Sequence, residues 1–143
     1  MTLNTYINSL IENINENNLP GEIDLVLDSG AFNGVYMMGA LFYIKEIERR
    51  EKIKINRISG ASIGSVLGLL FLLDKLDLTM GIALKGYKIL RKSQDLTKFK
   101  KKLNELMINN LKEDDLDKIN GKLYITYFDT TKNKQIIKKK YKN

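Results

Sequence analysis

The sequence predicts one α/β domain, residues 1–143, built as a parallel-rich sheet sandwiched by helices. Two observations carry that class. A short apolar strand, a loop of small residues and a helix follow one another twice. No internal repeat and no linker divides the chain, and 143 residues suffice for one core but not two.

Residues 1–20 predict an amphipathic helix, because Leu3, Tyr6, Ile7, Leu10, Ile11 and Ile14 fall at helical spacing. Thr2 is placed to cap it, and Pro20-Gly21 makes the turn that ends the segment. Ile23–Asp28 is a short buried strand, followed by the small-residue loop Ser29–Gly34 and a helix over Val35–Arg50. Ile53–Ile58 is the second strand. After Gly60-Ala61-Ser62-Ile63-Gly64 comes a helix, Ile63–Leu73, apolar all round and hence buried on every side. Two more helices are expected near Met80–Lys92 and Leu96–Met107, with Ser93 or Asp95 as cap. Leu123–Phe128 is a strand, Asp129–Asn133 a turn, and Gln135–Lys138 a returning hairpin partner. The acidic stretch Asp114, Asp115 and Asp117 lacks calcium-loop spacing and is expected to be a solvated helix end.

Composition narrows the functional classes. Hydrophobic residues make up 43% and charged residues 29%, the balance of a soluble globular protein. Without cysteine there are no disulfides or thiolate metal sites; without histidine, zinc would need carboxylates alone. No metal or organic cofactor is expected. The polar, Asn-rich start does not resemble a signal peptide, and the longest apolar stretch is too short to span a bilayer. A cytoplasmic location is expected, with contact at membranes peripheral. The net charge of +7 suits anionic surfaces such as phospholipid headgroups or nucleic acid, but the lysines are spread along the chain as a solvated set would be. The run Lys138–Lys140 is expected to be a frayed basic terminus, and no nucleic-acid partner is expected. Oligomeric state is left open.

Two segments carry the chemistry. Gly60-Ala61-Ser62-Ile63-Gly64 fits Gly-x-Ser-x-Gly, a nucleophile elbow in which a serine sits on a tight strand-to-helix turn. The turn leaves little room two residues before and after the serine, which Gly60 and Gly64 respect. A serine needs a base to take its proton, usually histidine, and this chain has none, so a carboxylate must serve. A tight βα turn kept small for packing is the alternative. The second segment, Asp28–Gly34, also joins a strand to a helix, and its amides are placed to hold an oxyanion. Alone it is equally compatible with a structural loop. Glycine-bearing turns on neighbouring parallel strands share the C-terminal edge of a sheet, where ligands bind in such folds. Tyr36, Met37, Met38, Phe42 and Tyr43 cluster on the following helix, as core or as the lining of an acyl pocket.

Leu25–Gly34, followed by Ser59-Gly60-Ala61-Ser62-Ile63-Gly64-Ser65, resembles the patatin-like phospholipases, which carry an Asp-Gly-Gly-Gly-x-Arg/Lys-Gly loop and then a Gly-x-Ser-x-Gly elbow. Leu123–Asp129 is similar to a later core strand of that family, so the resemblance runs from about Ile23 to the C-terminus. It implies a lipid acyl hydrolase acting on a phospholipid or other acyl ester through a Ser-Asp dyad without histidine. Carried over by position, Ser62 is the nucleophile, the amides of Gly30 and Ala31 hold the oxyanion, Gly34 opens the helix, and Gly60, Ala61, Ile63 and Gly64 form the elbow. Ser29 and Ala31 stand where the family has glycines, and Asn33 where it has a basic residue. The family's aspartate lies in an Asp-Gly-Gly/Ala motif, and no aspartate here precedes a glycine. The fold is expected to be patatin-like and truncated at its C-terminal side, and the alternative to hydrolysis is an inactive truncated module that binds lipid surfaces or a protein partner.

Overall fold

The computed structural model describes residues 2–30, 34–93 and 95–141. Helix α1 (Leu3–Glu12) is capped by Thr2, whose Oγ1 accepts from the Thr5 amide at 3.2 Å. Ile7 and Ile11 are buried, whereas Leu3, Tyr6 and Leu10 are exposed, so the buried stripe is narrower than the sequence pattern. A 3-10 turn (Glu16–Asn18) leads to β1 (Glu22–Leu27), then α2 (Gly34–Arg49), β2 (Lys54–Ala61) and α3 (Ile63–Leu72). A helical hairpin follows, α4 (Asp77–Ser93) and α5 (Leu96–Asn110), with Asp95 capping α5 through the amides of Thr97 and Lys98. A short α6 (Asp115–Ile119) precedes β3 (Leu123–Asp129) and β4 (Lys134–Lys138).

The sheet order is β1-β2-β3-β4, with the first three strands parallel and β4 antiparallel to β3. The α/β class and the parallel-rich sheet are as the sequence predicts. Register places Leu27 beside Gly60, and Ala61 beside Thr126. The loops leaving β1 and β2 therefore emerge side by side at one edge. Two cross-strand ion pairs, Glu22 with Lys54 and Asp24 with Arg57, join residues that are partners in this register. Each is solvent-exposed, so these pairs serve register more than stability.

Helix α3 is the centre of the molecule. Leu67, Leu70 and Phe71 are buried, and Gly68 lets the helix lie directly on Leu27, Ile58 and Leu123. The described helices gather on this face. On the opposite face Val26, Arg57, Phe128 and Ile137 are exposed, so among the described residues helices cover one face of the sheet rather than sandwiching it as expected.

Two expectations are corrected by packing. Asp115 is not solvated: it is 4% exposed and accepts from the Lys75 and Lys118 ammonium groups and the Lys112 amide. Lys75, in the α3–α4 joint, also donates to the Asn110 carbonyl. One carboxylate thus ties that joint to the helix that delivers β3. The basic terminus is not frayed through Tyr141 either, because the Tyr141 hydroxyl donates to the Leu123 and Lys138 carbonyls and its amide donates to Asn120 Oδ1.

The Lys75 hydrogen bond, then the Lys112 amide and Lys118, hold the Asp115 carboxyl well below the usual carboxylate range. A depressed folded value gives stability that is full above the unfolded value, about pH 4, and is lost as pH falls toward the folded one. Asp115→Ala is expected to cost about 2–3 kcal/mol, because Lys75 loses its carboxylate while partly solvated. Urea denaturation of both proteins at neutral pH and below about pH 4 checks this. The gap between them should narrow on acidification.

Candidate active site

Strand β2 runs three residues past the predicted end at Ile58, through Gly60 and Ala61, so the sharp turn itself starts at Ser62. Ser62 then adopts φ 52° and ψ −122°, a backbone region that side chains rarely occupy and that costs about 1–3 kcal/mol. Its surroundings fix it there. Ala61 is paired to β3, the Ser65 amide donates to the Ser62 carbonyl at 3.0 Å, and the buried Ser65 hydroxyl donates to the Gly60 carbonyl at 2.8 Å. Ser65 closes the turn, a role not assigned from the sequence. Its trace was the serine that directly follows the motif.

Both motif glycines are sterically required. A Cβ on Gly60 would lie 2.6 Å from the Gly64 carbonyl carbon, and one on Gly64 would lie 2.6 Å from the Leu27 and Asp28 carbonyl oxygens. These neighbours are backbone, so they cannot rotate away. The first turn of α3 therefore rests on the end of β1. The following loop makes a second contact: Gly34 is buried, and a Cβ there would lie 2.9 Å from Ile63 Cγ1. Gly30 has φ 121°, which favours glycine, and Asp28 Oδ1 accepts from the Ser29 amide at 2.7 Å. Ala31, the other expected oxyanion donor, lies outside the described residues, as do Phe32 and Asn33. The opening amides of α3 lack partners within the helix and carry its partial positive charge, and no Ser62 side-chain bond caps them.

Beside the elbow is a cavity of about 410 Å³. Gly34, Val35 and Met38 of α2, Ile63, Val66 and Leu67 of α3, and Ala83, Gly86 and Tyr87 of α4 supply most of its wall. That volume lies within the range of small-ligand sites, and the lining is almost wholly apolar. Of the five residues clustered on α2, only Met38 lines it. Met37, Phe42 and Tyr43 pack against the core, and Tyr36 is exposed. The sequence missed the α4 wall, whose trace was the small residues Ala83 and Gly86 on one helix.

Ser62 is exposed, and among the described residues its hydroxyl has no hydrogen-bond partner. Asp129 Oδ1 is engaged by the Thr131 and Lys132 amides in the β3–β4 turn. Among the described residues no group of three or more acidic side chains could hold a metal ion.

The geometry sets the expected stability of four variants. Gly64→Ala should destabilise the fold by about 3 kcal/mol or more. Gly39→Ala, where a Cβ meets nothing within 4 Å on a helix, should stabilise by up to about 1 kcal/mol. Ser62→Gly should relieve the backbone strain and stabilise by about 1 kcal/mol, whereas Ser62→Ala should not. Chemical denaturation of the four variants reads all of these.

The patatin-like phospholipase family model matches residues 25–134, which includes both turns and the strand after α6. No curated protein and no solved structure matched the chain. At family level the match supports a lipid-hydrolase type of function with lipid substrates. The chain belongs to the patatin-like phospholipase family.

Proposed function

We propose that this protein is a lipid acyl hydrolase in which Ser62 is the nucleophile. The observation that supports this most is the Ser62 backbone, held at φ 52° and ψ −122° with an exposed hydroxyl beside an apolar cavity. A strained residue that a packing turn would gain by replacing with glycine is what a nucleophile elbow requires.

The Ser62 hydroxyl oxygen attacks the carbonyl carbon of an acyl ester as its proton passes to a general base, the role of the aspartate in the family's Ser-Asp dyad; among the described residues no carboxylate is bonded to Ser62 to fill it. The carbonyl π electrons move to oxygen, where the amides of Gly30 and Ala31 and the opening amides of α3 stabilise the charge. The carbonyl re-forms, and the ester C–O bond breaks. The alcohol leaves with a proton, and Ser62 keeps the acyl group. Water then attacks the acyl-enzyme by the same route in reverse roles, releasing the fatty acid. The cavity takes the acyl chain, with roughly 0.8 kcal/mol per buried methylene available for holding it. No cofactor enters these steps.

A second reading rests on one observation: among the described residues no carboxylate bonds the Ser62 hydroxyl. On that reading the domain binds a lipid surface or a protein partner without hydrolysing esters. Turnover of a short-chain p-nitrophenyl ester by the purified chain separates the two. Wild type should turn over, and Ser62→Ala should lose at least about a hundredfold in kcat. Equal rates for the two proteins would overturn the hydrolase reading, and absence of turnover in both would favour the second.

A further inference from the structure

Helix α4 carries two exposed rows next to its cavity wall, and Tyr87 belongs to both the wall and the first row. Met80, Leu84 and Tyr87 fall at i, i+4 and i+7, which aligns them along the helix. They are 45%, 61% and 63% exposed. Scattered exposed apolar residues need no explanation, but these form one continuous crest. Beside it Lys85, Lys88 and Lys92 form a second row, all exposed. Among the described residues none of these three lysines is in an ion pair, nor is Arg91, which continues the crest. The helix has one carboxylate, Asp77, against these four cations.

The crest is also the lip of the cavity. Ala83, Gly86, Tyr87 and Arg91 line the cavity from α4, and Val35, 57% exposed, stands on the α2 side. An apolar row flanked by cations on one side and an apolar cavity on the other is the pattern of a helix lying in a membrane interface. The apolar row enters the headgroup boundary while the lysines meet anionic headgroups. No helix among the described residues is long and apolar enough to cross a membrane, so contact through α4 is interfacial.

We infer that α4 docks the protein on an anionic phospholipid surface, with Met80, Leu84 and Tyr87 entering the interface and Lys85, Lys88 and Lys92 binding the headgroups. Charge complementarity selects this occupant, because anionic headgroups attract the basic row and a neutral bilayer surface does not. Docking this way brings the cavity mouth to the lipid, and its purpose rests on the acyl-hydrolase reading above. An acyl chain could then pass from bilayer to cavity without crossing water.

The test is co-sedimentation of the Ser62→Ala protein with vesicles of phosphatidylcholine alone or with phosphatidylserine added. Binding is expected only with phosphatidylserine, and it should weaken as salt rises from low to physiological. Replacing Lys85, Lys88 and Lys92 together by Glu should weaken it at least about tenfold. Leu84→Ser should weaken it too, with the charges kept. Thermal midpoints close to the parent's show that these exposed substitutions leave the fold intact. Failure to sediment, equal binding to phosphatidylcholine alone, or a triple variant that binds like its parent would each overturn docking. So would binding to a single-stranded DNA oligomer with none to vesicles. Turnover of the soluble ester by proteins that retain Ser62 separates the two claims. Turnover without vesicle binding sinks docking alone, and charge-dependent vesicle binding without turnover sinks the hydrolase reading alone.

Discussion

The contact of backbone on backbone where α3 starts over the end of β1 is the constraint on which the rest of the site depends. Gly64 has no room for a side chain against the Leu27 and Asp28 carbonyls, and Gly60 has none against Gly64. Two parallel strands in register bring their outgoing turns together, but only glycine at these positions lets the second turn settle against the first. The Gly34–Ile63 contact follows from that closeness. It carries the start of α2, and with it one lip of the cavity.

Strain at Ser62 is tolerated because what surrounds it is worth more. The backbone costs about 1–3 kcal/mol. Each of Leu67, Leu70 and Phe71, fully or nearly buried on the same helix, contributes a comparable amount by leaving water. Moving Ser62 into a relaxed conformation would swing α3 off the sheet and expose all three. Ser65 adds local reinforcement by bonding the helix back to the strand it has just left. The far end of α3 is fixed as firmly. Lys75 and Asp115 join it to α6, so β3 enters the sheet with its register to β2 already set.

Most of the framework was legible because it depends on local pattern. Thr2, Pro20-Gly21 and Asp95 mark element ends through their own backbone chemistry, and the elbow glycines were readable from the steric demand of the turn alone. What stayed hidden depends on contacts distant in sequence. Nothing local distinguishes Asp115 from Asp114 and Asp117; burial does, and it comes from Lys75, 40 residues away. The cavity wall on α4 was missed for the same reason. Tyr36 and Met37 look as suitable as Met38 for an apolar pocket, but the direction α2 leaves Gly34 turns only Met38 toward it.

The central claim is that this geometry makes Ser62 a nucleophile. Intact mass after exposure to a fluorophosphonate, measured for the wild type and Ser62→Ala side by side, tests it most directly. The account predicts a single covalent adduct on the folded wild type and none on the variant. A folded wild type that stays unmodified, or an adduct that persists in Ser62→Ala, would contradict it.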